Sequence, residues 1–346
     1  MVKAFTYLED KSLVIQEHPA PKAHDDSMLV KIVSAAICGT DLRTYRFGSE
    51  RIVAPRIMGH EASSIVQEVG KNVRGFKPGD RVMTVPAIGC GHCKWCRSGV
   101  TNMCEELRTI GFDFHGTFTE FMEIPSEALS QGYVLKIDER VSTDEAVIVE
   151  PAACCLNGQE FLKIKPGDKV FIFGAGFIGC VHAELALIRG AGRVVIADIS
   201  ASRLKIAQEL LPSVTVVDTS KIDVIDYVSK LTKREGVDVV ITAAPSGATH
   251  ESALAITAKR ARISLFGGIP GDGKGFLNSN TIHYKELSVF GSHASTVAQN
   301  KQIMSWVADG TLNLKKYISA KFPLEKIHEG FESLKNEAML KVLIIP

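Results

Sequence analysis

Four cysteines fall in one short stretch, GCGHCKWCRSGVTNMC: Cys90, Cys93 and Cys96 are each separated by two residues, and Cys104 follows after seven more. Two-residue gaps let a tight loop turn several thiolates onto one tetrahedral ion, and Gly89, Gly91 and Gly99 supply turns at small steric cost. A disulfide loop fits poorly in a chain whose amino end, MVKAFTYLED, holds no apolar export signal. An iron–sulfur cluster would share the first gaps, but the fourth is too long and no Pro follows the last Cys. Reactive thiols are the remaining rival. The spacing predicts a structural zinc site, with every coordination position filled by protein and none left for substrate.

A second set of metal-ligand types is dispersed. Cys38 lies in AAICGTD, His60 and Glu61 in MGHE, and Glu150 in IVEPAACC, each next to an apolar run. Cys38, His60 and Glu150 form a three-ligand set with one position open, the pattern of a catalytic zinc that polarises a bound oxygen. Asp41 and Glu61 can orient the imidazole or take a coordination position themselves. Thr40, two residues after Cys38, can place a hydroxyl beside that oxygen and relay its proton. Taken singly, each of these residues also has an ordinary structural reading, as a turn or core residue.

The third pattern is Gly174-Ala-Gly176-Phe177-Ile178-Gly179, entered from the apolar run KVFIF and followed by a helical segment and then RVVIAD. Strand, glycines, helix and strand in that order predict a dinucleotide site. The first Gly permits the tight turn, the second lets a pyrophosphate approach the backbone, and the third lets the helix pack on the strand. Helix amides would then meet the phosphates. Asp198 closes the second strand, where a carboxylate accepts from ribose hydroxyls and repels a 2′-phosphate, which favours NAD over NADP. Arg203 is expected over the adenine or ribose.

These residues need two kinds of scaffold. The chain has 346 residues, 45% hydrophobic and 23% charged, enough for two domains. Up to about Pro151 short alternating runs such as VKAFTY, MLVKIVSAA and DRVMTV are broken by Gly, Pro and Asp, a β-rich half. From Lys169 apolar strands alternate with helical segments, the order of a doubly wound parallel sheet. The closing run KVLIIP is expected to return to the β-rich half and cover an edge left unpaired there. A formal charge of +1 leaves no field for nucleic acid or an anionic membrane, and no apolar run is long enough to span one. The chain is therefore expected to be soluble and cytoplasmic. Cys154, Cys155 and Cys180 are expected to be small buried packing residues.

A GHE segment, a four-Cys loop, a Glu before Pro and a Rossmann fingerprint, in this order, resemble the zinc-dependent medium-chain alcohol and polyol dehydrogenases over nearly the whole chain. CGTD with GHE and Glu-Pro is most similar to sorbitol, threonine and galactitol-1-phosphate dehydrogenases. The resemblance implies an α/β chain with a GroES-like catalytic domain (1–156, completed by 295–346) interrupted by a Rossmann coenzyme domain (157–294), and an active site in the cleft between them. It implies two zinc ions per chain: a catalytic one on Cys38, His60 and either Glu150 or Glu61, the carboxylates able to exchange, and a structural one on Cys90, Cys93, Cys96 and Cys104. It also implies NAD contacts at Ile178, Asp198 and Arg203, with Leu265, Gly267 and the stretch around Gly291 near the nicotinamide. The implied activity is reversible NAD-linked oxidation of a secondary alcohol of a polyol or polyol phosphate to a ketone, in a homodimer or homotetramer. A threonine-type amino-alcohol dehydrogenase and a non-catalytic NADH or redox sensor are the alternatives. Many relatives carry a His five residues after the catalytic Cys; here that residue is Arg43, which cannot act as a base. Arg43 is then a structural cation or a group that selects an anionic substrate.

Overall fold

The run MLVKIVSAA forms the strand Met28–Ala36, buried on both faces except at Lys31 and Val33, in the computed structural model, which describes residues 1–269 and 273–346. The chain divides into two units, Met1–Ala153 with Ala294–Pro346, and Cys154–His293.

In the first unit, among the described residues, Met28–Ala36 lies within a seven-stranded sheet. The order is Val134–Lys136, Arg81–Thr84, Glu61–Val69, Met28–Ala36, Lys341–Ile345 and Ile318–Pro323, with Phe121–Ile124 also pairing to residues 28–31. The closing strand returns to this unit and pairs with Met28–Ala36 on the side that residues 1–150 leave open at Ala35 and Ala36, but it is not itself the outermost strand. Lys341–Ile345 is internal, antiparallel to Met28–Ala36 with Leu343 opposite Ala36, and parallel to Ile318–Pro323, which takes the outer position. The reason is compositional: VLII is apolar at every position and buries both faces, whereas Ile318–Pro323 alternates between half-buried and exposed and suits an edge. An aromatic cluster packs nearby, with Phe331 stacked on Tyr45 at 4.4 Å and tilted against Phe5 at 5.7 Å.

The second unit is a parallel sheet in the order Thr215–Asp218, Arg193–Asp198, Lys169–Phe173, Val237–Thr242, Thr257–Leu265 and Ser288–Gly291. Its strands are runs of Val, Ile and Phe because both faces are covered, and Phe171, Val195, Val240, Leu254 and Ile263 belong to one buried cluster. Each such side chain contributes roughly 1.5–3 kcal/mol by leaving water. Strand order reverses between Lys169–Phe173 and Val237–Thr242, which opens a crevice at their carboxyl ends. Among the described residues, no helix is long and apolar enough to cross a membrane.

Inside this unit His182, on the helix Phe177–Ile188, is fully buried. The Gln159 amide sits 3.3 Å from its Nδ1, its Nε2 has no partner, and its ring meets the edge of Phe266 at 4.5 Å. Burial drives its pKa down to about 3. A histidine whose folded pKa lies below its unfolded value of about 6.5 stabilises the fold above that value, and the contribution is lost as pH falls toward the folded pKa. His182→Met should therefore gain on the wild type by up to ~1.4 kcal/mol per pH unit below about pH 6.5, measured by urea unfolding across pH. A stability difference that stays constant between pH 7 and pH 4, about the window defined by these two pKa values, would contradict the assignment.

Candidate functional site

Three structural features converge at one end of the first unit's sheet. Cys38 follows the strand Met28–Ala36 and precedes the helix Gly39–Phe47 as its N-cap. His60 lies immediately before the strand Glu61–Val69, which pairs with Met28–Ala36 so that Glu61 stands opposite Ala36. The register therefore brings residues 38, 60 and 61 into one place, and one ligand atom from each of Cys38, His60 and Glu61 lies within 4.8 Å of the others. Glu150 is buried in the first turn of the helix Val149–Leu162, outside that group among the described residues.

The surroundings are set by charge. Asp41, 1% exposed, accepts a hydrogen bond from the Cys38 backbone N–H at 3.0 Å through Oδ2 and holds Oδ1 3.5 Å from His60 Nδ1. That leaves His60 Nε2 on the other side of the ring, 3.5 Å from Thr40 Oγ1. Burial pushes the His60 imidazole toward neutrality, but the Asp41 carboxylate and the Cys38 sulfur outweigh it, and its pKa stands well above the ordinary value. Phe112 flanks the ring at 6.0 Å.

The residue that sequence reasoning missed is Lys341. Its ammonium, 4% exposed, lies 2.6 Å from Glu61 Oε2. The two are joined as a buried ion pair. Burial lowers the Lys341 pKa, but Glu61, with Cys38 and Asp41 behind it, reverses the effect and leaves it raised. A lysine opening an otherwise apolar strand was the available signal.

The mixed S, N, O donor set of Cys38, His60 and Glu61, with Glu61 Oε1 buried and without a hydrogen-bond partner, fits a divalent cation such as zinc.

In the four-cysteine loop all four Sγ atoms lie within 4.8 Å of one another. Backbone N–H groups of Cys90 and Glu106 donate to Cys104 Sγ at 3.1 and 3.3 Å, and that of Cys93 to Cys90 Sγ at 3.4 Å. Hydrogen bonding from the backbone of Cys96 and Glu105 draws Cys93 down to about 6, toward the thiolate that ligates metal, while burial pushes Cys96 up to about 12. At Gly89 a Cβ would stand 2.7 Å from Cys96 Sγ, so only glycine lets the loop close over its own sulfurs. The donor set fits one tetrahedral zinc. Among the other thiols Cys155 and Cys180 are buried, whereas Cys154 is only partly so.

The glycine loop of the second unit enters the crevice at the strand reversal. Gly174 has a φ of +109°, and a Cβ on Gly179 would stand 1.8 Å from the Gly174 carbonyl oxygen, so turn and helix packing both demand glycine. Gly176 differs: no atom lies within 4 Å of the place its Cβ would take. Open space there, at the N-terminus of the helix Phe177–Ile188, fits a pyrophosphate against the backbone. Asp198 has a second task that the sequence did not reveal. Its Oδ2 accepts from the Ala175 N–H at 2.7 Å and its Oδ1 from the Ser200 N–H at 2.9 Å, fastening the glycine loop to the next strand. Gly267, whose N–H donates to the Thr242 carbonyl at 2.7 Å, lies on the opposite lip beside Leu265. Arg203 sits in the first turn of the helix Ala201–Leu210, its N–H on the capping Ser200 hydroxyl.

Removing one partner of a buried ion pair strands the other charge. Lys341→Met should cost about 3–5 kcal/mol in denaturant unfolding, and adding Glu61→Leu should recover more than half of it. Additive losses would show that the two residues are not coupled.

The chain matches the Alcohol dehydrogenase GroES-like domain over residues 24–139 and the Zinc-binding dehydrogenase domain over residues 178–309. It is 30% identical to an L-threonine 3-dehydrogenase of Enterobacter sp. (strain 638), covering 99% of each chain. It is 27% identical to the sorbitol dehydrogenase of Bacillus subtilis (strain 168), covering 100% of this chain and 97% of that one. A zinc-binding dehydrogenase of Sinorhizobium meliloti 1021, solved bound to NADP, superposes with a TM-score of 0.92 at 29% identity, covering 100% of this chain and 99% of the other. With a GroES-like unit, a Rossmann unit and relatives matched over their full length, the chain belongs to the zinc-dependent medium-chain alcohol dehydrogenase family.

Proposed function

We propose that the protein catalyses the reversible, NAD-linked oxidation of a secondary alcohol of a polyol or polyol phosphate to a ketone. Its main support is the convergence of Cys38, His60 and Glu61 within 4.8 Å, with the Thr40 hydroxyl 3.5 Å from His60 Nε2. In this reading Cys38, His60 and Glu61 hold a catalytic zinc, with Glu150 the alternative third ligand, and Cys90, Cys93, Cys96 and Cys104 hold a structural one. Gly174, Gly176, Phe177, Ile178, Gly179, Asp198, Arg203, Leu265 and Gly267 hold NAD.

When bound, zinc supplies Lewis-acid polarisation of the alcohol oxygen and NAD supplies the hydride acceptor. The chain's own residues do the rest. Asp41 fixes the rotation of His60 through Nδ1, and Lys341 holds Glu61 in place. Thr40 Oγ1 takes the proton of the substrate hydroxyl. Arg43 is exposed on the same helix as Thr40 and cannot accept that proton onward, so the route from Thr40 runs through another group or water. The 30% identity to an L-threonine 3-dehydrogenase supports an amino-alcohol substrate as the second reading. NAD reduction on a panel of paired polyols, polyol phosphates and L-threonine separates the two, and Arg43→Ala should lower kcat/KM only on phosphorylated substrates if Arg43 selects them.

Chelation of zinc should abolish turnover while NADH binding, followed by fluorescence, persists; a metal-free preparation that still turns over would overturn the mechanism. Thr40→Ala should lower kcat by roughly 10²–10⁴-fold, with Thr40→Ser close to wild type. Because Asp198 also fastens the glycine loop, Asp198→Asn is the variant that removes charge while keeping an acceptor. It should reduce the NAD-over-NADP preference by about tenfold or more, and an unchanged ratio would assign specificity elsewhere.

A further inference from the structure

The first unit contains a cleft of about 630 Å³ that the reaction described above does not use. Its base carries Arg56, on the short strand Arg56–Ile57, together with His18 and His115. Arg56 has no hydrogen bond and no ion pair within 4.0 Å among the described residues, and its Nε is buried without a partner. The side chain is half-buried, and a buried guanidinium N–H left without an acceptor is the kind of group a ligand completes. Burial lowers its pKa, and the carboxylate of Asp113 opposes that from beyond pairing distance.

The neighbouring groups leave the same vacancy for negative charge. The backbone N–H of Ile57 donates to His115 Nδ1 at 3.3 Å, so the neutral ring carries its proton on Nε2 and offers it as a donor. Burial, and then the charges of Arg56 and His18, hold the His115 pKa down. The ring of His18 is 6.4 Å from that of His115. The acids around the cleft are each engaged elsewhere: Glu127 with Arg108 at 3.0 Å, Asp26 with the Asn72 amide at 2.8 Å, Asp113 with the Thr109 N–H at 2.7 Å and Glu123 with His24 at 4.0 Å. Pro19, Phe114 and Met122 give the cleft an apolar wall.

We propose that this cleft binds a small organic oxyanion, its phosphate or carboxylate group held by the Arg56 guanidinium and the His115 Nε2–H and its carbon body lying on Pro19, Phe114 and Met122. A planar guanidinium beside an imidazole donor suits either group, and both are small enough for the space. The site is separate from Cys38, His60 and Glu61, and the proposal stands whether or not the dehydrogenase substrate is itself anionic.

Isothermal titration of the zinc-loaded, full-length protein with methyl phosphate, which carries no oxidisable alcohol, and with succinate tests it. At least one should bind with 1:1 stoichiometry at a Kd below about 1 mM, and the stronger of the two identifies the anion. Arg56→Met should weaken binding by about tenfold or more, and Arg56→Lys, which keeps the charge without the fork, by less. His115→Asn provides a second loss-of-binding variant should Arg56→Met fail to fold. Arg43→Ala should leave the affinity unchanged. The proposal is overturned if neither anion binds up to about 10 mM, or if binding survives Arg56→Met and His115→Asn but is lost in Arg43→Ala.

Discussion

The pairing of Lys341 with Glu61 is the constraint around which the first unit is arranged. Both side chains are almost wholly out of water, and a buried charge persists only beside its opposite. The ammonium is delivered by the closing strand and the carboxylate by Glu61–Val69, on either side of Met28–Ala36, so the pair bridges the strand whose end presents Cys38. Asp41 adds a second buried carboxylate from the first turn of the following helix. Cys38 and His60 complete a group of S, N and O donors on that frame, a set suited to the divalent cation proposed for it.

The second unit solves a different problem with backbone rather than charge. Its glycine loop must be tight at Gly174, must admit a helix at Gly179, and must leave empty space at Gly176. Asp198 ties the loop down by accepting the Ala175 N–H, so the carboxylate proposed to read a ribose also rigidifies the loop proposed to meet the phosphates.

How much of this could be read in advance depends on chain distance. Cys90, Cys93, Cys96 and Cys104, and Gly174 through Gly179, are legible because turn and helix geometry act between near neighbours, and the spacing itself encodes where side chains go. Cys38, His60 and Glu61 were legible as ligand types, but the choice between Glu61 and Glu150 depends on strand register, which pairs Glu61 with Ala36. Lys341 could not be assigned because its partner lies far along the chain: a lysine opening an apolar strand signals a buried charge but not which acid receives it. The return of Lys341–Ile345 to the first unit was legible, but that Ile318–Pro323 would lie outside it was not, because that strand's alternation between half-buried and exposed residues does not say which neighbour it pairs with. Arg56 escaped notice because an arginine without a partner is recognised only once its neighbours in the fold are known.

The interior position of that last strand also imposes an order on synthesis. The Rossmann unit is encoded without interruption, so each of its strands exists once His293 has been added. Met28–Ala36, made far earlier, then still faces a gap on one side, and Glu61 has no counter-charge. A nascent chain can therefore complete its second unit while its first remains open, since domains close as their segments emerge from the ribosome. A reading frame broken between His293 and Lys341 would release a product with a finished dinucleotide fold and an unfinished sheet whose exposed strand is open to pairing with other chains, a state that cellular quality control would meet as an aggregation hazard.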